Sequence, residues 1–151
     1  MKLYRISKCG FVNDLSGRGA AMYGGRWNSK GKYILYTAET ASLALLETVA
    51  HMTNIASLSY CMICLEIPET SIDQYTIAEL PANWQNYPPP VQLRQIGDEF
   101  IGKGVSLALK LPSVLMPEEC NYLLNPLHTD FKKVKVIYSK TLPVDGRLVK
   151  Q

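Results

Sequence analysis

Tyr33-Ile34-Leu35-Tyr36-Thr37-Ala38-Glu39-Thr40-Ala41-Ser42-Leu43-Ala44-Leu45-Leu46-Glu47 is the stretch on which the fold turns. Tyr33 to Tyr36 is aromatic and aliphatic, which predicts a short strand. Thr37 is a plausible N-cap for a helix from Ala38 to Thr53, with Glu39 well placed for the positive end of its dipole. Strand, cap and helix arrive with almost no slack. At helical spacing Glu47 has Leu43, Ala44, Ala50 and His51 as neighbours, while Leu45, Leu46, Val49 and Met52 occupy other sides. A carboxylate in so apolar a helix either protonates or is held by a cation or by hydrogen-bond donors. A solvated face, or a structural pair with His51, is the plainer alternative.

Just upstream, Gly24-Gly25-Arg26-Trp27-Asn28 reads as an anion-holding turn. Glycines let backbone and ligand approach closely, and the planar arginine fork suits carboxylate or phosphate oxygens. Trp27 offers a stacking surface, Asn28 a hydrogen-bonding amide, and Tyr36 a hydroxyl that could enter the same cleft. A glycine turn leading to a surface arginine is equally common, so the motif alone is weak.

Outward from this unit, Leu3 to Ile6 is expected as a first strand, Lys8 to Arg18 as a polar loop, and Tyr60 to Ile67 as a buried strand. Pro68, Pro81 and Pro88-Pro89-Pro90 punctuate a long irregular stretch with Trp84 and Tyr87, expected to form a lid or rim and not core. Val91 to Ile101 is helix-like and ends in Gly102 and Gly104, Ser106 to Leu111 returns to strand character, and Lys133 to Thr141 is the last clear strand. The interleaving predicts one α+β domain over residues 1–151 with a twisted mixed sheet.

The 151 residues are 47% hydrophobic, enough for one sizeable core, and the formal charge of +3 is too mild to imply nucleic acid by itself. The first residues alternate like a strand and lack a signal-peptide core, which points to the cytosol. Thr48 to Leu65 carries no formal charge, but His51, Asn54, Ser57 and Ser59 interrupt its apolarity, so no membrane span is expected. Cys61-Met62-Ile63-Cys64 invites a metal, yet residues three apart on a strand face opposite sides and no second ligand pair follows. All four cysteines, Cys9, Cys61, Cys64 and Cys120, are expected reduced, and no metal is expected.

Ser113 follows a strand and a proline, so its hydroxyl should be fixed at a strand end. No nucleophile elbow surrounds it, which favours a ligand hydrogen bond over acylation. His128, in an Asn-Pro-x-His turn, is better read as structural than as a base. Gly102-Lys103-Gly104 lacks the spacing of a phosphate loop.

Together these motifs resemble the RES domain, a family named for an arginine, a glutamate and a serine. The resemblance runs through Tyr4-Arg5, Tyr23 to Asn28, Tyr36-Thr37-Ala38-Glu39, Leu43 to Glu47, Leu111-Pro112-Ser113, Asn121 to His128, and Asp145-Gly146-Arg147-Leu148. It makes Arg26, Glu47 and Ser113 the name-giving residues, with Tyr36 beside them, and adds Trp27, Asn28 and Asn125 as dinucleotide contacts. It implies a fold similar to ADP-ribosyltransferases and the toxin of a bacterial type II toxin-antitoxin pair. NAD+ would be its substrate, with the nicotinamide-ribose bond hydrolysed or phosphorolysed and growth halted, or with ADP-ribose transferred to a protein. An Xre-type helix-turn-helix antitoxin is the implied partner, blocking the active site in a hetero-oligomer and alone contacting the operon's DNA. The Asp145 to Gln151 tail is short, so any extra contacts made by longer members are not expected to carry over.

Cleaving that bond develops positive charge on the ribose, which a carboxylate such as Glu47 would stabilise. Arg26 would grip pyrophosphate or ribose oxygens, Tyr36 would orient the nicotinamide, and Ser113 would fix the ligand's pose. Two rivals remain at this level: a ribonuclease toxin using His128 with Lys132, Lys133 and Lys135, and a ligand-sensing module in which Arg26 and Glu47 merely pair across the core.

Overall fold

A computed structural model describes residues 1–52 and 59–149. Thr53, Asn54, Ser57, Lys150 and Gln151, which entered the readings above, lie outside the described residues. The strands are β1 (Lys2–Lys8), β2 (Leu35–Ala38), β3 (Tyr60–Glu66), β4 (Ile72–Gln74), β5 (Ala108–Pro112), β6 (Cys120–Leu124) and β7 (Lys135–Leu142). The helices are α1 (Arg18–Tyr23), α2 (Ala41–Ala50) and α3 (Val91–Lys103). The strands form one mixed sheet in the order β4-β5-β6-β2-β1-β3-β7, in which β4 and β5 run parallel and the other pairs antiparallel. This is the α+β architecture expected from the interleaved pattern.

Period-2 alternation assigns the two faces. Leu35, Cys61, Ile63, Leu65, Ala108, Tyr122 and Leu124 point to one, where Val12 from the first loop joins them. The opposite face carries the helices. There α2 packs Leu43 and Ala44 against Ile6, Ala38 and Met62, while α3 packs Leu93 and Phe100 against Leu109, Leu111 and Leu123. The two helix-covered clusters meet over β2, where Tyr36 belongs to one and Ala38 to the other.

Several local expectations shift. Thr37 is not the cap of α2; it lies in β2, and its hydroxyl donates to the Tyr122 carbonyl at 2.8 Å. Pairing with β6 continues through Ala38 opposite Asn121, so the chain stays extended past Thr37. The cap is Thr40, whose Oγ1 accepts the Leu43 N–H at 3.0 Å, and Glu39 turns away from the helix to accept the Cys120 N–H at 2.7 Å. Trp84, expected on a rim, is buried in the α3 cluster with Leu80. Strands β4 and β6 carried no expectation.

The cysteine reading also changes. Cys9 and Cys61 form a disulfide, whereas Cys64 and Cys120 are free. Antiparallel pairing of Lys8 with Tyr60 delivers Cys9 beside Cys61, with Cα atoms 4.8 Å apart, inside the range a disulfide spans. Cys61 packs on the face opposite the helices, and alternation sends Cys64 to the other, so these two do not converge.

Helix α3 is held against the Arg26 loop by Gly97. A Cβ there would overlap the Trp27 carbonyl oxygen, whereas one on Gly102, in the same helix, would meet nothing within 4 Å. Gly97→Ala is therefore expected to destabilise by about 1–3 kcal/mol through overpacking, and Gly102→Ala to be neutral or stabilising by up to ~1 kcal/mol. Urea unfolding of the two variants distinguishes them.

Candidate active site

Glu47 projects from the last half of α2 and does not stand alone. Its Oε1 accepts two hydrogen bonds, from Ser113 Oγ at 2.8 Å and from Asn121 Nδ2 at 2.6 Å. Ser113 comes just after β5 and Asn121 is the second residue of β6, so one helix and two strand ends converge on a single carboxylate oxygen. These two donors supply the carboxylate with partners that the apolar helix itself does not offer. No ion pair joins Glu47 to His51 or to Arg26 among the described residues.

Ser113 is fully buried. Its Oγ also accepts the backbone N–H groups of Leu115 and Met116, at 3.1 and 3.2 Å. The hydroxyl proton goes to Glu47 and the lone pairs to the backbone. Ser113 thus aims the carboxylate; the ligand hydrogen bond expected of it is already taken.

Arg26 is half-buried, and its Nη1 donates to the carbonyls of Trp84 at 2.9 Å and Asn86 at 3.2 Å. The proline-rich stretch therefore fixes the arginine in place. Burial pushes the Arg26 guanidinium below its ordinary value, while the nearby negative charge of Glu47 pushes back. The two charges face one another electrostatically without neutralising each other in contact.

The other members of the glycine-rich motif work as scaffold. Trp27 is buried in the α3 cluster and presents no stacking surface. Asn28 is fully buried; its Nδ2 donates to Ala20, Ser29 and Lys32 carbonyls, and its Oδ1 accepts the Tyr36 hydroxyl at 2.7 Å. Tyr36 in turn accepts the Trp27 N–H at 3.2 Å. Gly25 makes room for this, since a Cβ there would come within 2.8 Å of the Tyr36 hydroxyl and 2.9 Å of Asn28 Oδ1. Burial raises the Tyr36 hydroxyl far above the usual tyrosine value, so it stays neutral.

Asn125 does not join this group. It lies just past the far end of β6 from Asn121, is buried, and uses its Oδ1 to accept the Leu127 N–H at 3.0 Å. His128 closes the same turn. Its Nδ1 accepts the Asp130 N–H at 3.1 Å and its Nε2 bonds the Val105 carbonyl at 3.1 Å, the structural role expected of it. Lys133 is ion-paired with Asp130 at 2.8 Å. Asn121 is the member of the cluster that residue-by-residue reading missed. Its signal was a polar side chain two residues before Leu123, on the helix-covered face of an otherwise apolar run.

With fold and site in hand, comparison with known proteins gives the class. Residues 2–145 match the family model described as the RES domain. The chain belongs to the RES-domain family. It is 36% identical over 153 residues to "Toxin Res" of Photorhabdus laumondii, covering 99% of this chain and 98% of that one. It is 34% identical over 144 residues to the "Prs ADP-ribosylating toxin" of a Sphingobium species, covering 93% and 89%. A chain of the M.tuberculosis MbcT-MbcA toxin-antitoxin complex superposes with a TM-score of 0.78 over 93% of this chain and 83% of that one; at 16% identity the likeness is one of fold.

Two outcomes test the site's construction. Ser113→Ala strands the Leu115 and Met116 N–H groups as well as Glu47, and is expected to cost about 1–3 kcal/mol in denaturant unfolding. The raised Tyr36 value means its contribution to stability is complete below about pH 10, the ordinary tyrosine value, and is lost as pH climbs beyond it. Tyr36→Phe should therefore show a shallower loss of stability above that pH than the unaltered chain.

Proposed function

We propose that the protein is the toxin of a toxin-antitoxin pair and that it depletes NAD+ by cleaving the nicotinamide-ribose bond, halting growth. The observation that carries this reading is the Glu47 carboxylate, aimed by Ser113 and Asn121 through one oxygen and set opposite an arginine that does not neutralise it. Glu47 Oε2 accepts no hydrogen bond from the described residues and is the atom offered to the ribose. As the glycosidic bond stretches, positive charge grows on the sugar, and a fixed carboxylate stabilises it without reorganising. Nicotinamide leaves as a neutral amine, so no strong acid is needed; a neutral Tyr36 whose hydroxyl is already engaged suits a site of that kind.

Arg26 holds the dinucleotide, the ring of Tyr36 orients the nicotinamide, and Asn121 joins Ser113 in positioning Glu47. Trp27 and Asn28 shape the wall without touching the ligand. The family likeness to proteins named as toxins, and the fold likeness to a chain of a toxin-antitoxin complex, support a toxin with an antitoxin partner; in our reading it acts in the cytoplasm and the antitoxin restrains it by covering this site. An Xre-type antitoxin, itself the DNA-binding partner, fits that arrangement.

A second reading is transfer of ADP-ribose to a protein, favoured by the 34% identity to a relative named as an ADP-ribosylating toxin. Purified protein incubated with NAD+, with and without inorganic phosphate, separates the possibilities. Glu47→Gln should lower kcat by about 100- to 1,000-fold with little change in KM. Retained turnover in folded Glu47→Gln would sink the assignment, a phosphate requirement would select phosphorolysis, and label appearing on protein would select transfer.

A further inference from the structure

Arg94 lies in the first turns of α3, exposed, and its Nε donates to the carbonyl of Gly25 at 3.2 Å. Gly25 immediately precedes Arg26 and is the residue pressed against the Tyr36 hydroxyl. A second guanidinium thus leans on the same turn whose arginine the Trp84 and Asn86 carbonyls hold. Both arginine charges act on Tyr36.

Neither side chain is used up. Arg26 engages the described residues through Nη1, leaving Nη2 and Nε; Arg94 engages them through Nε, leaving both Nη groups. Among the described residues neither forms an ion pair. Asp98, one turn along α3 from Arg94, is the nearest acidic candidate on that helix, and its Oδ1 instead accepts the Ser29 N–H at 2.9 Å. Two uncompensated guanidiniums on one glycine turn form a cradle for an anion carrying two charges in adjacent groups, since each planar fork matches phosphate oxygens.

We propose that Arg94 is a second binding residue of the site, pairing with Arg26 to grip the diphosphate of a dinucleotide. The assignment rests on the NAD+ reading above and deepens it, because it selects for ligands with a linked diphosphate over mononucleosides with the same scissile bond. Glu47 acts at the ribose; the two arginines act at the phosphates. Arg94 also sits on a helix that Gly97 locks to the Trp27 backbone, so its position relative to Arg26 is set by packing.

The test uses the full chain and two substrates, NAD+ and nicotinamide riboside, which share the bond to be cleaved but differ in phosphate. Arg94→Gln retains a donor for the Gly25 carbonyl while removing the charge, and Arg94→Ala removes both. The expected result is a fall in kcat/KM for NAD+ that exceeds the fall for nicotinamide riboside by about 10- to 100-fold, carried mainly by KM, in both variants. Binding of ADP-ribose, followed by calorimetry, should weaken by a similar factor and lose part of its salt dependence. Equal losses on both substrates, a loss restricted to Arg94→Ala, or unchanged ADP-ribose binding would overturn the assignment. Arginine-dependent ADP-ribose binding in a protein that leaves NAD+ intact would instead retain Arg94 and overturn the cleavage reading.

Discussion

The hydrogen bonds from Ser113 and Asn121 to one oxygen of Glu47 are the constraint on which the arrangement of the site depends. They require α2, the end of β5 and the start of β6 to arrive together. Ser113 is delivered by pairing of β5 with β6, in which Pro112 lies opposite Cys120. Asn121 is delivered opposite Ala38 by pairing of β6 with β2. Thr40 then starts α2 directly after β2, and its hydroxyl donates to Glu119 at 2.8 Å, tying the helix start back to the turn before β6. A one-residue slip at either pairing would send Asn121 to the opposite face of the sheet.

The Arg26 wall is built on a different principle. Asn28 is enclosed and satisfied through every polar atom of its side chain, so it serves as an internal bracket joining α1, the turn and β2. Trp27 anchors the turn in the core beneath α3, and Gly25 and Gly97 remove the side chains that would hold the pieces apart. Within Gly24-Gly25-Arg26-Trp27-Asn28 the tryptophan and asparagine are buried, and Arg26 carries the motif's charge. The motif is mostly a device for holding one guanidinium still, which favours binding because less freedom is lost when the ligand arrives.

Legibility in the sequence follows from what each inference needed. Runs such as Tyr60 to Glu66 and Val91 to Lys103 were readable because periodicity and terminal glycines are local signals. Arg26 and Glu47 stood out because a charge in an apolar setting is conspicuous in one dimension. The start of α2 was misplaced because Thr37 and Thr40 are equivalent as caps until pairing with β6 is known. The Cys9–Cys61 disulfide was hidden for the same reason, since only the β1–β3 register brings those residues together. Asn125 and Asn121 show the limit most sharply. They share one apolar run four residues apart, yet one closes a turn and the other holds Glu47, a difference that depends on which strand end faces α2.

The separation of Arg26 from Glu47 has a chemical consequence for the proposed reaction. Had the two formed a close ion pair, substrate phosphates would have to displace a carboxylate to reach the arginine, and the carboxylate would lose negative potential at the ribose. Here the arginine leans on neutral carbonyls and the glutamate on neutral donors. Each charge is oriented without being cancelled. In the proposed reaction the carboxylate on α2 would serve the oxocarbenium-forming ribose and the arginine at the turn the anionic diphosphate, groups that lie at successive positions along one dinucleotide. On that proposal the two charges would orient the ligand, with the phosphates toward Arg26 and the bond to be cleaved beside Glu47, a carboxylate held by Ser113 and Asn121.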